Sequence, residues 1–184
     1  MIPYRAQATS GRTTVRRVLC EFCSFDWDQS PRTSIATLAS MQGTIFLPVD
    51  VSLVTRPSAG VWSILEYIAH LRDAIGFYEA RIGRILAAAE PPVLPLFDPD
   101  EACTRGRYAE ADPDEALRDA VQAGRELSEL LGSLGAHGWE KSGIGSEGCP
   151  RTVSSLASRA AHEVTHHVVD VTTIAGALRR PAST

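Results

Sequence analysis

Apolar residues along this chain return mostly at intervals of three and four, the period of an amphipathic helix. The clearest stripe is Ile68, Leu71, Ile75, Tyr78, Ile82 and Ile85. Ser63 stands ahead of it as an N-cap, and Glu66 three residues later completes a capping box. Pro91 and Pro92 stop the run. An earlier helix follows Ser30-Pro31, from about Arg32 to Phe46, carrying Ile35, Leu38 and Met41. Pro48 ends or bends it. A third begins at Asp112-Pro113, with proline in the first turn, and buries Leu117, Val121, Leu127 and Leu131. The last is capped by Thr152 and runs to about Leu178, with Pro181 beyond it.

The segments between these helices read as connections. Thr55 to Gly60 is a loop. Val93 to Pro113 is rich in Pro and Asp, with one helical turn near Cys103. Gly132 to Gly148 is a second long loop that contains Trp139. No stretch alternates cleanly enough to predict a strand. The pattern therefore predicts an all-α fold, a four-helix bundle. Two of its connections are long enough for crossovers, so simple up-down order does not follow.

Length and composition narrow the class. The 184 residues suit one domain with a core of its own. The hydrophobic share is 44% and the charged share 22%, an ordinary globular balance. A net charge of -4 without a basic stripe argues against nucleic-acid binding. No apolar run is long enough to span a bilayer. Residues 1–19 read as a disordered N-terminal extension, although their Arg, Ser and Thr content also resembles a transit peptide. Residues 20–180 read as the folded domain. Without a secretory signal, a disulfide framework among Cys20, Cys23, Cys103 and Cys149 is not expected, and the cytoplasm is the default location. All 18 basic residues but Lys141 are arginine.

Candidate chemistry gathers at the histidines. His162 and His166 lie four residues apart, one turn apart on one helix face, a spacing that suits a metal ion. His167 is turned about 100° away. His70 lies beside Leu71, at the edge of the second helix's apolar stripe. Two packed helices would bring His70 toward the pair. Hydrogen-bonded seam histidines remain the alternative. His162 to His166 also spells the H-E-x-x-H of zinc proteases, but no Glu, His or Cys follows His167 to complete that site. Glu163 then reads as a helix-surface or outer-sphere residue. Cys20-x-x-Cys23 reads as a packing pair, half of a metal site, or a redox pair. Cys103 and Cys149 are the only further cysteines that could join it.

Val61-Trp62-Ser63-Ile64-Leu65-Glu66-Tyr67-Ile68-Ala69-His70 resembles the start of helix two in the DinB-like family, ending in its first ligand histidine. His162-Glu163-Val164-Thr165-His166-His167 resembles the family's last-helix motif. Cys20-Glu21-Phe22-Cys23-Ser24-Phe25-Asp26 resembles the C-x-x-C-G-F-D opening of one subgroup, with Ser24 in the glycine place. The resemblance covers roughly Cys20 to Leu178. It implies a four-helix bundle with crossover connections and a divalent metal on His70, His162 and His166. Homodimers are common in the family, so a homodimer is expected.

Relatives include thiol S-transferases that use bacillithiol or mycothiol, and a mycothiol-dependent maleylpyruvate isomerase. The arginine bias leans toward the mycothiol users. The resemblance thus implies a metal-dependent thiol S-transferase that activates a low-molecular-weight thiol as cosubstrate for a small electrophile. Zinc is the favoured ion for an open imidazole site, with nickel and iron also suited. Glu66 and Asp170 are the candidate acceptors behind the ligand imidazoles. A non-catalytic metal-binding bundle, or a metal-dependent hydrolase or isomerase, would share the same residues.

Overall fold

Capping signals and apolar stripes set the helices of the computed structural model, which describes residues 18–179 apart from 47 and 49. The expected extension lies outside the described residues over positions 1–17. Val18 and Leu19 belong to the fold: Leu19 pairs with Asp26, and the Trp27 amide donates to the Val18 carbonyl at 2.8 Å.

Among the described residues seven α-helices and one small sheet follow in order: α1 (Pro31–Ala39), α2 (Met41–Thr44), α3 (Ile64–Ala87), α4 (Pro99–Arg105), α5 (Pro113–Gly132), α6 (Ala136–Glu140), β1 (Ser142–Ile144), β2 (Pro150–Thr152) and α7 (Val153–Leu178). The first expected helix is broken into two at Ser40. Thr37, Ser40 and Thr44 hydroxyls there donate to carbonyls three or four residues back, which bends helices. The capping box of α3 forms as expected, with the Ser63 amide donating to Glu66 Oε2 at 2.8 Å. Asp112 caps α5 and Thr152 caps α7. Lys141, the lone lysine, donates to the Leu86 and Ala88 carbonyls and closes the C-terminal end of α3.

The strands were not legible. β1 and β2 pair antiparallel, Ser142 opposite Thr152, and three residues each are too few to show a period of two. β1 sits inside the Gly132–Gly148 segment expected to be a plain loop, and β2 between that segment and α7.

The bundle is formed by α1, α3, α5 and α7. Both α1 and α3 pack on α5 and on α7, which leaves α1 and α3 on a diagonal. The chain from α2 to α3 therefore crosses the bundle, a crossover topology. Ile64, Leu65, Ile68, Leu71, Ile75 and Ile82 of α3 are almost fully buried, against Leu127 and Leu131 of α5 and Leu156, Ala157 and Ala160 of α7. Each such Ile or Leu contributes about 1.5–3 kcal/mol by leaving water. Gly124 lets α5 approach closely, since a Cβ there would collide with the Met41 sulfur and meet the Leu38 carbonyl at 3.1 Å.

The crossover chain is tied at both ends. Arg179 clasps Asp50 through two hydrogen bonds of 2.6 and 2.7 Å. Arg56 Nε donates to Glu66 Oε2 at 2.9 Å. No helix among the described residues is long and apolar enough to cross a membrane.

Candidate metal centre

Helix α7 presents two pairs of donors in one stretch, His162 with His166 and Glu163 with His167, each pair spaced by one turn. Its buried residues, Val153, Leu156, Ala157, Ala160, Val164 and Val171, fix which pair faces the bundle. At ~100° per residue, Glu163 and His167 flank that apolar stripe, whereas His162 and His166 lie nearly opposite it.

The expected trio is accordingly divided. His70 converges with Glu163 and His167, while His162 and His166 converge with Cys20 and Cys23, the donor atoms of each set lying within 4.8 Å of one another. The structure does not bring His70, His162 and His166 together as one donor set. Glu163, read from sequence as a surface or outer-sphere residue, stands between two imidazoles. Its Oε2 is 3.5 Å from His70 Nε2 and 3.2 Å from His167 Nε2.

The surroundings fit a cation on His70, Glu163 and His167. His167 Nδ1 hydrogen-bonds Asp170 Oδ2 at 2.7 Å, leaving Nε2 directed at the shared point. That carboxylate–histidine pairing is the usual outer-sphere support of a metal ligand. Asp170 was expected behind His166. It reaches His166 only at 3.9 Å and holds His167 instead. Buried His70 leaves Nδ1 without a hydrogen-bond partner. Burial disfavours ionisation of Glu163, yet hydrogen bonds from His167 and His70 outweigh it and hold the carboxyl far below its ordinary range. Burial likewise pulls His167 down, but Asp170 and Glu163 more than offset it, so its pKa is raised. Two imidazoles and a carboxylate suit zinc, nickel or iron.

Glu66 has a different task from the outer-sphere one expected. It closes the α3 cap, pairs with Arg56, and accepts a weak contact from the Cys103 thiol at 3.7 Å. The Arg56 hydrogen bond, with help from Ser63, lowers its pKa from 4.5 to about 2 despite opposing burial. A depressed carboxyl stabilises the fold fully above its unfolded value and loses that contribution as pH falls through the folded value. Glu66→Gln should therefore cost about 1–2 kcal/mol near neutrality, with the gap to wild type closing between pH 4.5 and 2. Urea unfolding of both proteins across that range checks this. A gap independent of pH would refute it.

A cavity of about 810 Å³ opens onto the cluster. Its walls include Trp62, Tyr67, Phe77 and Phe97, with Arg81, Arg151 and Arg159 further along. Arg81 Nε is buried without a hydrogen-bond partner, which leaves a donor available to an anion. Phe97 is held over His70, with ring centroids 5.9 Å apart. Its segment is pinned nearby, where buried Tyr108 donates to Asp73 at 2.6 Å. Trp139, from the long Gly132–Gly148 segment, packs against the main core and not against this cavity. His137 is exposed on α6.

The same cavity is reached by His162 and His166. Burial lowers the pKa of His162 to about 4 and also lowers that of His166, so both imidazoles are neutral near pH 7. Of the remaining cysteines, Cys103 is buried beside Glu66 and Cys149 is exposed; neither joins Cys20 and Cys23.

The chain is thus a four-helix bundle with crossover connections that carries an inward His/Glu/His set able to hold a cation. The DinB superfamily model matches residues 46–169, and the chain belongs to that superfamily. Among solved structures it is similar to YfiT from Bacillus subtilis, described as a probable metal-dependent hydrolase with an unusual four-helix bundle topology. That likeness has a TM-score of 0.67 and 16% identity, and covers 91% of this chain and 94% of YfiT, so it speaks for the fold. No curated protein sequence matches the chain.

Proposed function

We propose that this protein is a metal-dependent transferase that joins a low-molecular-weight thiol to a small anionic electrophile. The observation that carries the reading is the three-donor cluster of His70, Glu163 and His167 at the wall of an arginine-lined cavity. Three protein ligands leave coordination positions free, the mark of a catalytic and not a structural site. A divalent cation bound there would supply Lewis acidity that lets a thiol react as its thiolate at neutral pH.

The chain's own residues supply the rest. Asp170 orients His167 through Nδ1. The Tyr78 hydroxyl lies 3.5 Å from Glu163 Oε1 and steadies the carboxylate. Tyr78 stays protonated, since burial, reinforced by Glu163, raises its pKa to about 12. Arg81 and Arg159 bind the anionic end of the electrophile, and Trp62 and Phe97 shield the cluster from water. The thiol gives up its proton to solvent, its sulfur bonds to the electrophilic carbon, and a departing group or an added proton balances the product. The partners are small molecules. A mycothiol-like thiol and a homodimer accord with the family resemblance, and a cytoplasmic setting would keep the thiol reduced.

The test incubates metal-loaded protein with mycothiol, bacillithiol or glutathione and an unsaturated dicarboxylate such as maleate. The expected result is a thioether product that requires both metal and thiol, with KM for the dicarboxylate raised in Arg81→Ala. Thiol-independent cleavage of esters or amides would overturn the reading in favour of hydrolysis, the activity in the description of YfiT.

A further inference from the structure

The second donor cluster borders the same cavity through His162 and His166 but takes no part in the chemistry proposed for it. Cys20 and Cys23 stand on an N-terminal hairpin in which the Cys20 amide donates to the Phe25 carbonyl and the Ser24 amide to the Cys20 carbonyl, both at 2.8 Å. Ser24 has a φ of 59°, the left-handed conformation that favours glycine. The turn brings both sulfurs to the α7 face that carries His162 and His166. Cys20 Sγ is 3.8 Å from His166 Nδ1. Buried His162 Nε2 has no hydrogen-bond partner.

We propose that Cys20, Cys23, His162 and His166 form a second, closed metal site that binds zinc and fastens the N-terminal hairpin to α7. Four observations support it. The four donor atoms lie within 4.8 Å of one another. Tetrahedral zinc with two sulfur and two nitrogen ligands needs donor separations of about 3.3–3.8 Å, so small side-chain rotations complete it. Charge balances, because two thiolates neutralise Zn²⁺ while both imidazoles remain neutral.

The hairpin, thirdly, has too little core to hold itself. Phe25 is its buried anchor, whereas Leu19 and Phe22 are exposed. Finally, aromatic rings frame both imidazoles. Trp27 lies 4.5 Å and Phe25 5.3 Å from the His162 ring, and Phe22 lies 4.7 Å from His166. They hold the rings in place and limit solvent access. Four protein ligands leave no position for substrate, so this site is structural.

The experiment uses the full chain without an affinity tag. Elemental analysis should find about two ions per chain, falling to about one in the double variant Cys20→Ser/Cys23→Ser. Cobalt substitution identifies which ion is lost. A sulfur-to-cobalt charge-transfer band should appear in wild type and persist in His167→Ala, but vanish from the cysteine variant. If that variant does not fold, thiol accessibility decides on the wild type. Cys20 and Cys23 should resist a chromogenic thiol reagent until a strong chelator is added. Immediate reaction of two further thiols beside the exposed Cys149, absence of the charge-transfer band, or a Cys20–Cys23 disulfide in protein purified under reductant would each overturn the proposal. Wild-type protein that holds one ion and shows the charge-transfer band, with the pocket empty, would count against the transferase reading and leave this one standing.

Discussion

His167→Ala is expected to strip the cation from the pocket and abolish turnover, while His162→Ala leaves both in place. His167 supplies one of three convergent donors, with Nε2 3.2 Å from Glu163 Oε2, and Asp170 clamps its other nitrogen. Removing a ligand should cost more than the ~10–100-fold in affinity that follows loss of an outer-sphere partner. His162 stacks near Trp27 and belongs to the cysteine donor set, not to that of His70. Isothermal titration of each variant with zinc, followed by thiol-conjugation assays, separates the two. Unchanged pocket affinity and turnover in His167→Ala would show that the donor set is wrongly assigned. The same result in His162→Ala is the one expected.

Asp170→Asn should weaken the pocket ion ~10–100-fold while the helix stays folded. The carboxylate accepts from His167 Nδ1 and so keeps Nε2 free to ligate. An amide can still hydrogen-bond this imidazole, but it removes the negative charge that raises the basicity of His167. Circular dichroism should match wild type, and zinc competition against a chelator of known affinity should show the loss. Equal affinity in the two proteins would mean that Asp170 merely pairs with an imidazole at the helix surface.

The helices, and even their caps, were written in local signals. Ser63 with Glu66, Asp112 with Pro113, and Thr152 each mark a helix start by short-range chemistry. The placement of His70 and of the His162–His167 cluster on two separate helices was equally legible. What misled was phase. Spacing of four is satisfied by His162 with His166 and equally by Glu163 with His167, so spacing alone cannot choose between them. The choice lies in the apolar stripe through Val153, Leu156, Ala157, Ala160, Val164 and Val171, which had to be read around the helix before the polar residues were assigned. The cysteines posed the opposite problem. About 140 positions separate Cys20 from His162, and no local pattern announces a contact across that distance. Only the hairpin at Leu19 and Asp26, itself too short to signal, brings them to α7.

Two clusters on consecutive residues of one helix share a single mechanical degree of freedom. A roll of α7 by 10° about its axis would carry side-chain tips ~5–6 Å from that axis sideways by ~1 Å. Glu163 and His167 would swing relative to His70 in the same motion that displaces His162 and His166 from the cysteines. Neither cluster can be adjusted by rotating the helix without detuning the other. The azimuth of α7 is thereby gripped from both sides, much as a shaft is held between two bearings.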